Sequence, residues 1–415
     1  MAVLGVDFGT SNSAAGYLRD GAPHLVEMAA GERTLPTAVF FDFDAREMVV
    51  GQPAQAALLR GAEGRFMRAL KRVLGTSLMH EKRQLLNERL TFVDIIARFL
   101  AQLKARAEAE AGHRFDRALS GRPVVFHGSG DAREGQAEAD LRACYLAAGF
   151  DGVDFLPEPE AAAIAAGALD QPGATGLIVD IGGGTSDFSV FRTAEDGLTI
   201  LANHGVRIGG TDFDRAVSIA HVMPLLGLGT PLRDTFGPGT LPAPRAVFHD
   251  LATWEKIPFL YTAKTLRDVQ AMTRQALAPD RFARLETVLE NELGHDVAFA
   301  VEAGKIAANG AGGRAEIDLS GVERGLHAAL PAAALQSVLA PFGTQLAGGV
   351  QETLQMAGCG PDDIDQVIYV GGSSLMALVT DTMHAAFPKA RHSYAEVFTA
   401  VADGLAIAAS RGNAG

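Results

Sequence analysis

Residues 3–13, VLGVDFGTSNS, and residues 177–187, LIVDIGGGTSD, share one plan. Each is an apolar run closed by an aspartate, Asp7 or Asp180, and followed by a Gly/Thr/Ser loop. A second run comes after each loop, AAGYL or FSVFR, then a turn signal, Asp20-Gly21 or Asp196-Gly197, then HLV or LTIL. The chain thus carries two copies of strand, loop, strand, tight turn, strand. An internal repeat of this kind governs how everything around it is read.

The order of parts separates the nucleotide folds. A P-loop needs GxxxxGK[ST] running into a helix, and a dinucleotide site needs GxGxxG opening a helix. Here each loop runs into another strand, and neither carries the P-loop lysine. What is left is a β-hairpin whose loop amides grip phosphate. Glycine lets the backbone approach an anion, and successive N–H groups form an anion-binding nest. Taken singly, DFGTSNS also reads as an ordinary hairpin turn and GGGTSD as a linker. Apolar runs on both sides of GGGTSD, and an aspartate ahead of each loop, favour a phosphate clamp.

Composition sets the frame. The chain has 415 residues, 48% apolar and 20% charged, enough for two lobes with separate cores. The formal charge of −13 argues against a nucleic-acid surface and against docking on an anionic membrane. Two cysteines, Cys144 and Cys359, are too few for a disulfide framework and point to a reducing, cytoplasmic location. The N-terminus shows no secretory pattern, and apolar stretches such as AAAIAAGAL are too short to span a bilayer.

Thr91 to Gly112 reads as an amphipathic helix with a T-x-x-D start and an apolar stripe of Phe92, Ile95, Ile96, Phe99, Leu100 and Leu103. FMRALKRVLG is expected as a shorter helix carrying Phe66, Leu70, Val73 and Leu74 inward, with Lys71 beside the stripe. Pro157 and Pro159 fix the chain around Glu158 ahead of an alanine-rich helix. VRIGGTDFDRAV places the pair Gly209-Gly210 before a capped helix, and DQVIYVGGSSLMALV is strand, Gly-Gly-Ser turn, helix. A helix start behind glycines accepts phosphate or ribose groups. Residues 227–245 read as an exposed Gly/Pro-rich loop. Neither HExxH nor CxxC occurs, and HGSGD at 127–131 lacks the full GxSxG pattern, so it reads as a loop.

In this order, GVDFGTSNS, ALKRVLG, PEPEAAAIAAG, VDIGGGTSDFSV, RIGGTDFD and VIYVGGSS resemble the nucleotide-binding domain of the heat-shock protein 70 (DnaK-type) chaperone family. The likeness spans nearly the whole chain. It implies an α/β, actin-like ATPase (ribonuclease H-like) fold with two lobes around a central nucleotide cleft. Lobe I would be residues 1–172, with 34–119 as its outer subdomain and the helix within 392–415 returning to it. Lobe II would be residues 173–391, with 212–329 as its outer subdomain.

The resemblance also implies roles. Gly9, Thr10, Ser11 and Asn12 would line the β/γ-phosphates of ATP or ADP from lobe I, and Gly182, Gly183, Gly184 and Thr185 from lobe II. Asp7 and Asp180 would hold hydrated Mg²⁺, a small cation that keeps most of its waters. Asp187 would orient or deprotonate the attacking water, with Thr185, Lys71 and Glu158 as the other catalytic groups. Gly209, Gly210, Glu302, Lys305, Gly371, Gly372 and Ser373 would complete the nucleotide site. From the residues alone, Lys71 reads equally as a solvated member of the cluster Arg68, Lys71, Arg72, and Glu158 as a helix-start acid.

The sequence departs from the family pattern at several points. Ile306 and Leu375 stand where arginines usually lie near the base, and Asn309 where a serine is usual. Each lost stacking contact would weaken adenine binding by ~1 kcal/mol. HGSGD follows VVF where the family has a proline-containing segment, and the chain is expected to keep the ATPase body without a peptide-binding domain or lid. The expected function is a slow, Mg-dependent ATP hydrolysis (ATP and water to ADP and phosphate) that drives lobe closure and is read by an unidentified protein partner. The alternatives are a small-molecule kinase of the same fold and an actin-like filament.

Overall fold

The computed structural model describes residues 2–127, 131–168, 171–194, 197–234, 237–310, 315–394 and 399–411. Residues 128–130 of HGSGD and Asp196 of the second turn lie outside them. The chain forms two compact units. One holds Met1–Arg207, Ala347–Leu375 and Met383–Gly415; the other holds Ile208–Leu346 and Met376–Thr382.

The first unit contains two sheets built on one plan. In the first sheet, Ala22–Leu25, Asn12–Arg19 and Val3–Phe8 run antiparallel in that order, and Arg117–Arg122 and Gly152–Pro157 continue it in parallel. In the second, Gly197–Val206, Ser186–Ala194 and Thr175–Ile181 run antiparallel, and Gln366–Val370 and Arg391–Tyr394 follow in parallel. The duplicated motif of the sequence is thus the antiparallel half of each duplicated sheet. The tight turn at Asp20-Gly21 has φ values of 54° and 81°, the two positive angles that suit a right-twisted hairpin.

Small residues let helices lie close on these sheets. Helix Glu158–Ala165 and helix Ala400–Arg411 share a core of Ala161, Ala162, Ile178, Phe191, Ile368, Val401 and Leu405. A Cβ on Gly404 would overlap the Ala161 carbonyl, and one on Gly5 would lie 2.8 Å from the Ala406 nitrogen. Only glycine permits this packing. Burying Leu405 fully contributes about 1.5–3 kcal/mol.

Helix Phe92–Ala111 begins where the T-x-x-D start places it. The Thr91 Oγ1 accepts the Asp94 N–H at 3.2 Å, and Asp94 Oδ2 accepts the Thr91 N–H at 2.8 Å. Gly112 ends the helix in the left-handed region. Ile95, Ile96, Phe99, Leu100 and Leu103 are buried in the core of the first sheet.

The expected helix over FMRALKRVLG is not formed. Gly64–Arg68 is a strand paired with Ala38–Asp42, and Leu70–Val73 is a single 3-10 turn. Cross-strand pairing with a buried partner strand overrides the local helical spacing. Ala69, with φ 56°, breaks the chain direction between them. Leu70 and Leu74 are still buried, as the apolar spacing requires. The Gly/Pro-rich stretch 227–245 also carries a short pair, Pro231–Arg233 with Thr240–Pro242, in which Leu232 is buried and Leu241 exposed.

The second unit is mostly helical, with Gly210–Val217, Ala246–Leu251, Ala263–Gln275, Pro279–Glu290 and Gly294–Asn309. Phe213, Phe248 and Phe282 are its largest fully buried side chains.

Candidate functional site

Both glycine loops belong to the first unit. In the first hairpin Asp7 faces Ala14 and Phe8 faces Ser13, so Gly9, Thr10, Ser11 and Asn12 connect the two paired stretches. A Cβ on Gly9 would overlap the Asn12 carbonyl, which keeps this loop tight. In the second hairpin Asp180 lies directly opposite Asp187, and the Gly182 N–H donates to the Thr185 carbonyl at 3.0 Å across the loop. Two carboxylates opposite each other in an antiparallel pair oppose folding, so this pairing is a cost the sheet carries.

Glycines outside the loops also make room for these acids. Gly371, at φ 79°, leaves space that a Cβ would fill 2.9 Å from Asp180 Oδ1 and 2.6 Å from the Ile181 carbonyl. Gly205 does the same for Asp187, 2.8 Å from its Oδ1, and Gly121 for Glu158, 3.2 Å from its Cγ. The two loops approach each other as well. A Cβ on Gly183 would lie 2.9 Å from the Ser11 hydroxyl, and one on Gly184 would overlap the Arg72 guanidinium. In the sequence Arg72 stood only as a member of a cationic cluster, and Gly121 and Gly205 were not singled out. Only Gly205 left a signal there, as a glycine in the third strand of the repeat.

Lys71 donates to Glu158 in an ion pair whose side chains are only 9% and 16% exposed. That rules out a freely solvated cation and an isolated helix-start acid. Burial pushes the Lys71 ammonium down, but Glu158, Asp7 and Asp180 outweigh it and the net shift is upward. Burial, with Glu158 adding to it and Lys71 opposing, raises Asp7 to about 7. Burial and the neighbouring charges of Glu158, Asp187 and Asp7 raise Asp180 well above the usual carboxylate range. Asp187 is raised to about 6 by burial and Glu158, while a hydrogen bond from Thr185 holds it down.

Four acids around one buried lysine leave excess negative charge, which a hard cation relieves. Among the described residues, no three His, Cys, Asp or Glu side chains cluster closely enough to hold a metal ion directly. Asp7 and Asp180 offer the carboxylate oxygens that a hard cation such as Mg²⁺ takes, an ion that usually keeps several of its waters.

Other residues named from the sequence lie in the second unit. Gly209 and Gly210 are buried, and Gly209 caps helix Gly210–Val217, its N–H donating to Asp212 at 3.0 Å. Buried Lys305 pairs with Asp214 at 2.7 Å, while Glu302 is exposed. Ile306 is 62% exposed, and Asn309 Oδ1 accepts the Ala377 N–H at 2.8 Å. In the first unit, Gly372 and Ser373 continue from Gly371 in a 3-10 turn that ends at the exposed Leu375.

Two sheets of one strand order, each led by a strand–loop–strand unit, define the actin-like ATPase (ribonuclease H-like) fold. A family model described as Hsp70 protein matches residues 3–224 and 300–411, and the chain belongs to the Hsp70 family. It is 27% identical to the chaperone protein DnaK of Thermotoga petrophila over 414 residues, which is 98% of this chain and 59% of that protein. The DnaK of Thermotoga maritima gives the same figures. The DnaK of Thermosipho melanesiensis is 32% identical over 219 residues, 52% of this chain and 35% of that protein. The chain thus spans 59% of the length of the Thermotoga relatives. No helix among the described residues is long and apolar enough to cross a membrane.

Proposed function

We propose that this chain binds ATP with Mg²⁺ and hydrolyses it slowly, as a chaperone-related, cytoplasmic switch read by a protein partner. The observation that carries this reading is the buried Lys71–Glu158 pair set among Asp7, Asp180 and Asp187, with a glycine loop on either hairpin. The loop amides of Gly9–Ser11 and Gly182–Gly184 would hold the β- and γ-phosphates, and Asp7 and Asp180 the hydrated ion. When bound, Mg²⁺ offsets phosphate charge. Lys71 supplies a fixed cation beside the transferred phosphoryl group, and Glu158 holds that cation in place. Asp187, shifted to about 6, is mostly ionised at neutral pH yet basic enough to take a proton from water. Catalysis of this kind rests on positioning and charge stabilisation. Closure of two lobes around nucleotide would then be the signal.

The test is ATP hydrolysis with and without Mg²⁺, in the native protein and in Asp7→Ala and Asp180→Ala. The expected result is slow, Mg-dependent turnover that both substitutions abolish. Turnover that neither substitution changes refutes the proposal.

A further inference from the structure

The Lys71 turn ends in a peptide that the fold grips from both sides. Residues 73–76 form a type II β-turn: Leu74 has φ −55° and ψ 138°, Gly75 has φ 75°, and the Thr76 N–H donates to the Val73 carbonyl at 3.1 Å. The central peptide of such a turn, here Leu74–Gly75, converts it to type I by rotating in place. Its oxygen and its N–H then exchange sides. In this protein His127 Nε2 donates to the Leu74 oxygen at 2.7 Å, and the Gly75 N–H donates to Asp140 Oδ2 at 2.9 Å. A rotated peptide loses both bonds together.

The two gripping groups are themselves held. Asp140 is 1% exposed, and its other oxygen accepts from Gln136 Nε2 at 2.7 Å and lies 3.0 Å from His80 Nε2. The backbone N–H groups of Phe126 and His127 donate to Glu134 at 2.9 and 2.6 Å. Space around Gly75 is closed too, since a Cβ there would meet the Arg133 carbonyl at 2.8 Å and His127 Nε2 at 2.9 Å.

The turn needs this support. It enters through Ala69 in the left-handed region, a conformation that costs a non-glycine residue on the order of 1 kcal/mol. Its 3-10 segment opens with the Arg72 N–H on the Ala69 carbonyl at 3.0 Å but ends on a long bond, the Leu74 N–H to the Lys71 carbonyl at 3.4 Å. We infer that His127 and Asp140 are positioning residues for Lys71, acting through the Leu74–Gly75 peptide. The inference rests on the proposed hydrolysis for its kinetic arm alone. His127 would set where the Lys71 ammonium meets Glu158 without touching nucleotide.

The experiment compares native protein with His127→Ala and His127→Gln, in kcat, in KM for ATP, and in amide hydrogen exchange. His127→Ala is expected to lower kcat by about tenfold, the effect of one hydrogen bond of ordinary strength, with KM within about twofold. Exchange in residues 70–76 should rise while helix Glu134–Ala147 keeps its protection, which separates a loosened turn from an unfolded protein. His127→Gln keeps an N–H donor at similar reach and should restore both. An unchanged kcat in His127→Ala, or a loss that His127→Gln does not recover, overturns the inference. If native protein and Asp7→Ala prove equally inert towards ATP, the proposed function fails. The exchange arm then decides: unchanged protection at 70–76 overturns the grip, and raised exchange there that His127→Gln reverses supports it.

Discussion

Gly371→Ala tests the packing of the site without removing a charge. Gly371 follows strand Gln366–Val370 and has φ 79°, where an L-residue is strained by about 1–2 kcal/mol. Gly21 has nearly the same angle, φ 81°, but nothing lies within 4 Å of a Cβ built on it. Gly21→Ala therefore reports the backbone strain alone. Gly371→Ala adds a methyl 2.6 Å from the Ile181 carbonyl and 2.9 Å from Asp180 Oδ1. The carbonyl belongs to strand Thr175–Ile181, whose Asp180 is in register with Val370, so it yields only if that pairing is disturbed. Overpacking of this sort costs a further ~1–3 kcal/mol. Urea denaturation should place Gly371→Ala about 2–5 kcal/mol below native and Gly21→Ala about 1–2 kcal/mol below. Calorimetry should show affinity for Mg-ATP reduced in Gly371→Ala and unchanged in Gly21→Ala, because only the first displaces Asp180. Equal destabilisation by the two substitutions, with equal nucleotide affinity, would refute this account of Gly371.

Two further outcomes follow from the first unit. The Asp94 carboxylate is lowered by the hydrogen bond from the Thr91 side chain and then by that from its backbone. Its contribution is thus present above the unfolded value near ~3.9 and is lost as pH falls through the folded value. Asp94→Ala should cost about 1 kcal/mol at pH 7, and the gap from native should shrink on acidification below about pH 4, measured by denaturation midpoints. The second outcome concerns the thiols. Burial, then the charges of Asp140 and Asp94, push the Cys144 thiol far up, whereas Cys359 is part-exposed. A disulfide reagent should titrate one thiol in the native protein and two after unfolding. Rapid reaction of both in the native state would contradict the buried position of Cys144.

What could be read from the chain is what short-range chemistry decides. The two hairpins were legible because apolar runs, Asp-Gly turn signals and glycine loops sit within a few residues of one another. The start of helix Phe92–Ala111 was legible for the same reason, since Thr91 and Asp94 satisfy each other across three positions. The segment around Lys71 was not. Its apolar spacing fits a helix, but the neighbouring strand Ala38–Asp42 claims residues 64–68, and the left-handed Ala69 turns the rest into a 3-10 segment. Strand pairing at a distance leaves no mark on local periodicity.

The sequence by itself determined that two aspartates would each stand at a strand end before a glycine loop. The order of residues alone sets that placement. Tertiary structure decided everything that depends on charge at a distance: that Lys71 is buried against Glu158, that Asp180 faces Asp187, and that Gly205 and Gly371 leave room for those acids. It also decided the raised pKa values of Asp7 and Asp187, because desolvation and Coulomb repulsion exist only once the groups are enclosed together.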